Sequence, residues 1–279
     1  MNFRLCLLAT SALVSVSAAA LAADPGEYEP TNPEAPVVDA PAVAPGVDLI
    51  IELGVGGDVS PEYEGSDKYS ISPSPIVGFG YLHIPGLFDI GDTGPEEGGL
   101  SISPAFEFRG ERKADDFDAL DGLNDVDATY EVGISVGYEW QFAEIYGEAR
   151  YAFGGAKGVV GEVGANAIYR PTPQLVLKAG PFATLASEDY TETYFGVTAA
   201  ESANTGFRLD AYDPKGGLKS VGMSGSARYE FRQDWFLNAD ASYSRLVGDA
   251  ADSPIVKAGD ENQFTFGLGV SKRFTLDLF

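Results

Sequence analysis

The chain has 279 residues, enough for one large domain or two small ones, and 42 Asp+Glu against 18 Lys+Arg leave a net charge of −24. So acidic a chain repels nucleic acid and anionic surfaces, and its 12% aromatic content argues against a disordered polymer. Beyond the first residues, no segment approaches the ~18 consecutive apolar residues of a membrane helix, so insertion into a bilayer requires a closed sheet.

Residues 1–22 pair a short basic start at Arg4 with an apolar run from Leu5 to Val16 and an A-x-A site at Ala20–Leu21–Ala22. This pattern predicts a secretory signal peptide cleaved after Ala22. Cys6, the one cysteine, lies inside it, so the exported chain is expected to carry no thiol. Residues 23–47 are rich in Pro, Ala and acids, with Pro25, Pro30, Pro33, Pro36, Pro41 and Pro45 at short intervals. That composition predicts an extended, unfolded leader.

From residue 48 to 279 the dominant signal is alternation with a period of two. In the stretch 127–140, Ala128, Tyr130, Val132, Ile134, Val136, Tyr138 and Trp140 share one parity, while Asp127, Thr129, Glu131, Gly133, Ser135, Gly137 and Glu139 share the other. In a strand the two sets point to opposite faces. Similar patterns cover 48–57, 71–82, 99–109, 143–153, 158–169, 174–185, 217–231, 234–245 and 262–274. In the last of these, Phe264, Phe266, Leu268, Val270 and Phe274 oppose Gln263, Thr265, Gly267, Gly269 and Ser271. Links are very short at 141–142, 171–173 and 233–234, and long at 110–126, 186–216 and 247–261. Two further segments, 86–91 and 191–197, are possible short strands; counting both or neither gives twelve or ten.

Alternation alone fits either a soluble sandwich or a membrane barrel. Three features favour an all-β, antiparallel, up-and-down transmembrane barrel of 10–12 strands. Aromatics cluster near strand ends, as in Tyr130 with Tyr138 and Trp140, or Tyr151 with Phe153, the pattern of interfacial girdles. The small-residue face carries isolated charges suited to a narrow wet lumen: Glu131, Glu148, Arg150, Glu162, Lys178, Arg228, Glu230 and Asp240. Export without cysteines fits a bacterial envelope protein. Val132, Ile134, Val136, Phe264, Phe266 and Leu268 are therefore expected to face lipid.

No catalytic residue stands out. His83, the one histidine, follows Phe79 and Tyr81 on the same parity and is expected at the lipid interface, which leaves the serines without a base. Asp115, Asp116, Asp118, Asp121 and Asp125 depart from the EF-hand spacing and read as a solvated acidic loop. Neither a metal nor a cofactor is expected. Glu148 and Arg150 read as part of a lumen ion-pair network. Tyr63, Glu64, Gly65, Ser66 and Asp67, together with Asp252, Ser253 and Pro254, form two loops read either as turn architecture or as an interaction surface.

The stretches GGDVSPEYEGSDKYSISPSP (56–75), TYFGVTAAESANTG (193–206), AYDPKGGLKSVG (211–222), YSRLVGDAADSPIV (243–256) and NQFTFGLGVSKRF (262–274) resemble, in order, landmarks of the MipA/OmpV family of outer-membrane proteins. The resemblance implies a non-enzymatic barrel in the bacterial outer membrane, in contact with lipid and lipopolysaccharide. Its founding member's role implies a scaffold linked to a murein transglycosylase and a murein synthase. A narrow solute channel or an adhesin is the alternative. The tail TLDLF departs from the family's usual ending and leaves Phe274 and Phe279 as rival terminal aromatics for assembly.

Overall fold

A computed structural model of the chain describes residues 47–84, 88–91 and 99–278. The signal peptide expected over 1–22, nearly all of the leader expected over 23–47, and Phe279 lie outside the described residues.

Among the described residues, eleven strands form one antiparallel sheet: β1 (Leu49–Pro61), β2 (Tyr69–Ile84), β3 (Phe88–Gly91), β4 (Gly99–Arg109), β5 (Thr129–Trp140), β6 (Ala143–Gly154), β7 (Gly158–Thr172), β8 (Leu175–Ala186), β9 (Gly217–Arg232), β10 (Trp235–Leu246) and β11 (Asn262–Leu276). The spatial order is β3-β2-β1-β11-β10-β9-β8-β7-β6-β5-β4, so the first and last long strands pair and the sheet curls on itself. Its two ends, β3 and β4, approach each other. Ten strands of eleven to sixteen residues run the height of the wall; β3, with four, does not.

That length difference settles the strand count. Segment 86–91 contributes β3, but four residues span only ~13 Å and cannot cross a bilayer. Segment 191–197 is no strand: most of it belongs to α1 (Glu188–Phe195). Tyr190, Thr191, Tyr194 and Phe195 are its buried residues, and their i, i+4 spacing is helical. Ser187 before it and the acidic first turn, Glu188 and Asp189, are ordinary helix-start signals. Neither segment counts as a spanning strand, one being a helix and the other too short, so the outcome is the ten-strand alternative.

The outer face of the sheet is apolar. Ile71, Phe106, Ile134 and Leu268 are exposed on it by 82, 71, 58 and 50%. Val132, Val136, Phe264 and Phe266 share that exposed face. Aromatic rings line up across strands toward one end, with Phe108–Tyr130 at 5.2 Å and Tyr130–Phe153 at 5.9 Å, and Tyr138–Trp140 at 4.7 Å marks the other end. Hence alternation recovers the faces of the strands well.

Among the described residues, the register slips in four strand pairs, β1–β2, β7–β8, β8–β9 and β9–β10. The β1–β2 register slips between Ile50 and Ile51, so that Ile51 faces Phe79 while Ile50 faces Tyr81. The bulge moves Tyr81 onto the lumen parity of Ile50 and Glu52, where it is buried. His83 follows it: its N–H donates to the Asp48 carbonyl at 2.7 Å. The interfacial position expected for His83 is thus corrected by one inserted residue, which alternation cannot reveal.

Candidate functional site

Among the described residues, the connections 62–68, 110–128, 187–216 and 247–261 lie at one end of the wall and fold together there. Besides α1 they include α2 (Ala199–Asn204), α3 (Gly248–Asp252), α4 (Pro254–Lys257) and a 3-10 turn at Ala114–Asp116. Two small apolar clusters hold them. Tyr190, Tyr194, Phe195, Leu246 and Val256 form one with Val126 and Val160 of the rim; Tyr63, Leu120, Val197, Leu209 and Ile255 form the other. Tyr190, Phe195, Leu120 and Ile255 are fully buried. This is a cap with its own core.

The two family-like loops lie within this cap. Tyr63 packs edge-on against Phe117 at 5.2 Å. Gly65 has φ +94°, and a Cβ there would lie 2.7 Å from Val256 Cγ2, so glycine is required twice over. Its N–H donates to Gln263 Oε1 at 3.0 Å, and its carbonyl accepts from Asp260 at 2.9 Å. Ser66 is buried and its Oγ accepts from the Lys68 N–H. Ser253 Oγ donates to the Phe195 carbonyl at 2.6 Å and accepts from the Ile255 N–H, capping α4 after Asp252 and at Pro254. Only Asp67 and Asp252 of the eight are exposed. These loops hold the cap.

Below the cap, charges fill one side of the lumen. The Glu131 side chain is fully buried and accepts from Arg109 Nε at 3.1 Å, Arg150 Nε at 2.8 Å and the Tyr190 hydroxyl at 2.9 Å. Glu107 pairs both arginines, at 3.1 and 2.7 Å, and Glu148 pairs Arg150. Glu64 reaches in from the cap to Lys219 at 2.6 Å and Arg109 at 3.5 Å. Burial pushes its carboxyl up, yet Lys219 and Arg109 outweigh that and hold it down at about 2. Burial drives the Tyr190 hydroxyl far above its usual range, so it stays a protonated donor.

A second group lies toward the turn end. Lys178 bridges Glu139 at 3.1 Å and Glu144, while Arg170 pairs Glu139. Glu52 and Arg228 pair across the lumen, with Arg228 stacked on Phe236 at 3.8 Å. The lumen pair expected at Glu148–Arg150 is therefore present, but inside a larger network whose members come from four strands, β4, β5, β6 and β9, and two cap segments. Sequence reasoning named Glu131, Glu148, Arg150, Lys178 and Arg228 and missed the partners Glu64, Glu107, Arg109, Lys219 and Tyr190. The helical spacing of Tyr190 and Tyr194 is the one local signal that pointed to them.

The cap and the lumen each hold a cavity. One of about 600 Å³ opens on the cap between Asn124, Asp127, Glu192, Glu201 and Asp213, with Arg112 at its lining. The other, about 230 Å³, lies in the lumen against β1, β2, β10 and β11. Among the described residues no group of three or more His, Cys, Asp or Glu could hold a metal. Asp115, Asp116, Asp118, Asp121 and Asp125 are all exposed.

Comparison with known proteins adds the following. A family model described as MltA-interacting protein MipA matches residues 53–274. The MltA-interacting protein of Escherichia coli K12 is 39% identical over 70 residues, 25% of this chain and 27% of that protein. An outer membrane protein of Vibrio anguillarum is 33% identical over 96 residues, 34% of this chain and 35% of that protein. The chain thus matches about a third or less of these relatives' own length. Among solved structures, an outer membrane channel from Pseudomonas putida F1 aligns over 89% of this chain and all of that one, at 14% identity and a TM-score of 0.45.

Proposed function

The chain belongs to the MltA-interacting protein MipA family, and from that premise we propose that it is a capped bacterial outer-membrane barrel acting as a non-catalytic scaffold for murein remodelling. The observation that carries this reading is the cap: a folded lid with its own apolar core over a lumen crossed by ion pairs. Such a barrel offers surfaces rather than a passage. The exposed band of Val132, Ile134, Val136, Phe264, Phe266 and Leu268 supplies the lipid face, flanked by aromatic rings. Lipopolysaccharide meets it on the loop side.

With the long loops turned outward, the short turns and the leader face the periplasm. A segment of that length in polyproline geometry would span roughly 70 Å at ~3.1 Å per residue, enough for 24–46 to serve as a tether toward murein. Asp24, Glu27, Glu29, Glu34 and Asp39 favour a basic patch on a murein transglycosylase or synthase, by a contact that weakens with salt.

Two measurements test this. The refolded protein in planar bilayers stays silent if the cap seals the lumen, and steady conductance would instead support the narrow-channel reading. Removing residues 24–46 leaves heat-resistant insertion intact and lowers capture of a purified murein transglycosylase. Unchanged capture would move the contact to the turns or loops.

A further inference from the structure

In an antiparallel ladder, successive residues of a strand bond alternately to one neighbour and to the other. Beside β1–β2, the Glu62 N–H donates to the Lys68 carbonyl at 3.0 Å, in the register that pairs Ser60 with Ser70. Counting by twos from that bond, Ser70, Ser72, Ser74, Ile76 and Gly78 bond β1. Ile71, Pro73, Pro75 and Val77 direct their backbone groups the other way. On that side β3 covers only Tyr81–Ile84. Among the described residues, nothing pairs with this edge of β2 from Tyr69 to Gly80.

The facing edge belongs to β4. Arg112 and Val126 exchange both backbone bonds, at 2.8 and 2.9 Å, in the register of β4 on β5. Even residues of β4 therefore bond β5, and Ser101, Ser103, Ala105 and Glu107 face the seam, unpaired there among the described residues. An unpaired edge in hydrocarbon is costly, so its chemistry matters. Pro73 and Pro75 have no N–H, so two of four consecutive donor positions on the β2 edge are empty. Prolines in sheets belong on edges for this reason. A ladder between β2 and β4 is weak at mid-height by construction.

Directly behind β2 lies the lumen cavity of about 230 Å³, lined by Ser74 and Ile76 of β2, by Gly56, Asp58 and Gly267, and by Asp240. It carries two carboxylates and no lysine or arginine. The outer side of the seam is apolar: Ile71 and Val77 on β2 are exposed by 82 and 74%, and Leu100 and Phe106 on β4 by 67 and 71%. We propose that the β2–β4 seam is a lateral portal admitting a single-chain amphiphile with a cationic head from the bilayer, its chain between the strands and its head toward Asp58 and Asp240. Charge complementarity selects the cation, and the apolar rim selects the chain.

The inference rests on the membrane reading, so the test scores insertion separately by heat-modifiable gel migration in lipid vesicles. The probes are a single-chain quaternary ammonium amphiphile with a photoreactive diazirine and a fatty acid of equal chain length. The portal predicts that the ammonium probe labels residues 69–77 and 99–109 several-fold more than the rest of the belt, and more than the fatty acid does. Pro73→Val with Pro75→Val restores two donors and should cut that labelling several-fold. Pro104→Val, whose nitrogen faces β5, should leave it unchanged. Asp58→Asn with Asp240→Asn should remove the preference for the ammonium head. Even labelling around the belt, equal labelling by both probes, or no response to the β2 substitutions would overturn the proposal. So would crosslinking of two copies through residues 69–77, which would show the seam covered by a second chain. Loss of insertion in the unsubstituted protein would instead strike at the membrane reading.

Discussion

The lumen has two unlike walls. Along β4 to β6, Glu107, Arg109, Glu131, Glu148 and Arg150 interlock with Tyr190 above them, and the space is filled. Along β1, β2, β10 and β11, glycine, serine and threonine dominate, and a cavity remains. Both walls look alike in sequence, as small residues with scattered charges. The difference is whether opposite charges face one another: on the first wall they do, on the second Asp58 and Asp240 share a lining without a basic side chain. A filled wall supports the cap, whereas an empty one leaves room next to the weakest seam.

The sharpest way to break the contrast is to remove the carboxylate at the centre of the filled wall. Glu131→Ala leaves Arg109 and Arg150 facing each other with only the half-exposed Glu107 still shared between them, and should cost about 3–5 kcal/mol in vesicle refolding titrations. Next comes the contrast between inside and outside on one strand. Ile134→Arg should cost about 2–4 kcal/mol if it lies at mid-membrane, and Ser135→Arg, facing the lumen, less. Equal penalties would remove the assigned orientation.

Smaller effects follow at the cap. The Glu64 carboxyl, held at about 2 in the folded protein, has an ordinary value of 4.5. Its depressed value stabilises the cap fully above pH ~4.5, and the contribution is lost as pH falls from there toward 2. Hydrogen exchange of residues 188–195 should therefore quicken across that window. Glu64→Gln should flatten the response and cost about 1.5–3 kcal/mol at neutral pH, the scale of one charged hydrogen bond. The smallest effect is expected on the empty wall. Ser242→Ala removes a 2.7 Å bond to Thr265 Oγ1 and should cost about 0.5–1.5 kcal/mol by the same titration. A larger loss there would show that the small-residue wall also carries the fold.

How much of this was legible depended on the range of the interaction. Strand positions were, because each strand separates two media and every second residue reports on one of them. The expected 99–109 matches β4, and 262–274 falls two residues short of β11 at its end. The bulge at Ile50–Ile51 was not, because an inserted residue inverts parity while both versions still alternate locally. α1 was misread as a possible strand although its i, i+4 tyrosines were visible, since Thr191, Thr193, Phe195 and Val197 also alternate. The family-like loops drew notice as possible binding surfaces; their burial shows that much of their chemistry is spent on the cap.

The sequence by itself determined which face of each strand is apolar, where the ten long strands run, and that charges would lie inside. These follow from local alternation and from the cost of burying polar groups. Only the tertiary structure decided which charges meet. Glu64 and Lys219 are 155 residues apart, and Glu52 and Arg228 are 176 apart, so no local pattern couples them. The curl of the sheet brings them together, and it also sets β2 beside β4, where two missing N–H groups acquire a consequence that a single strand cannot show.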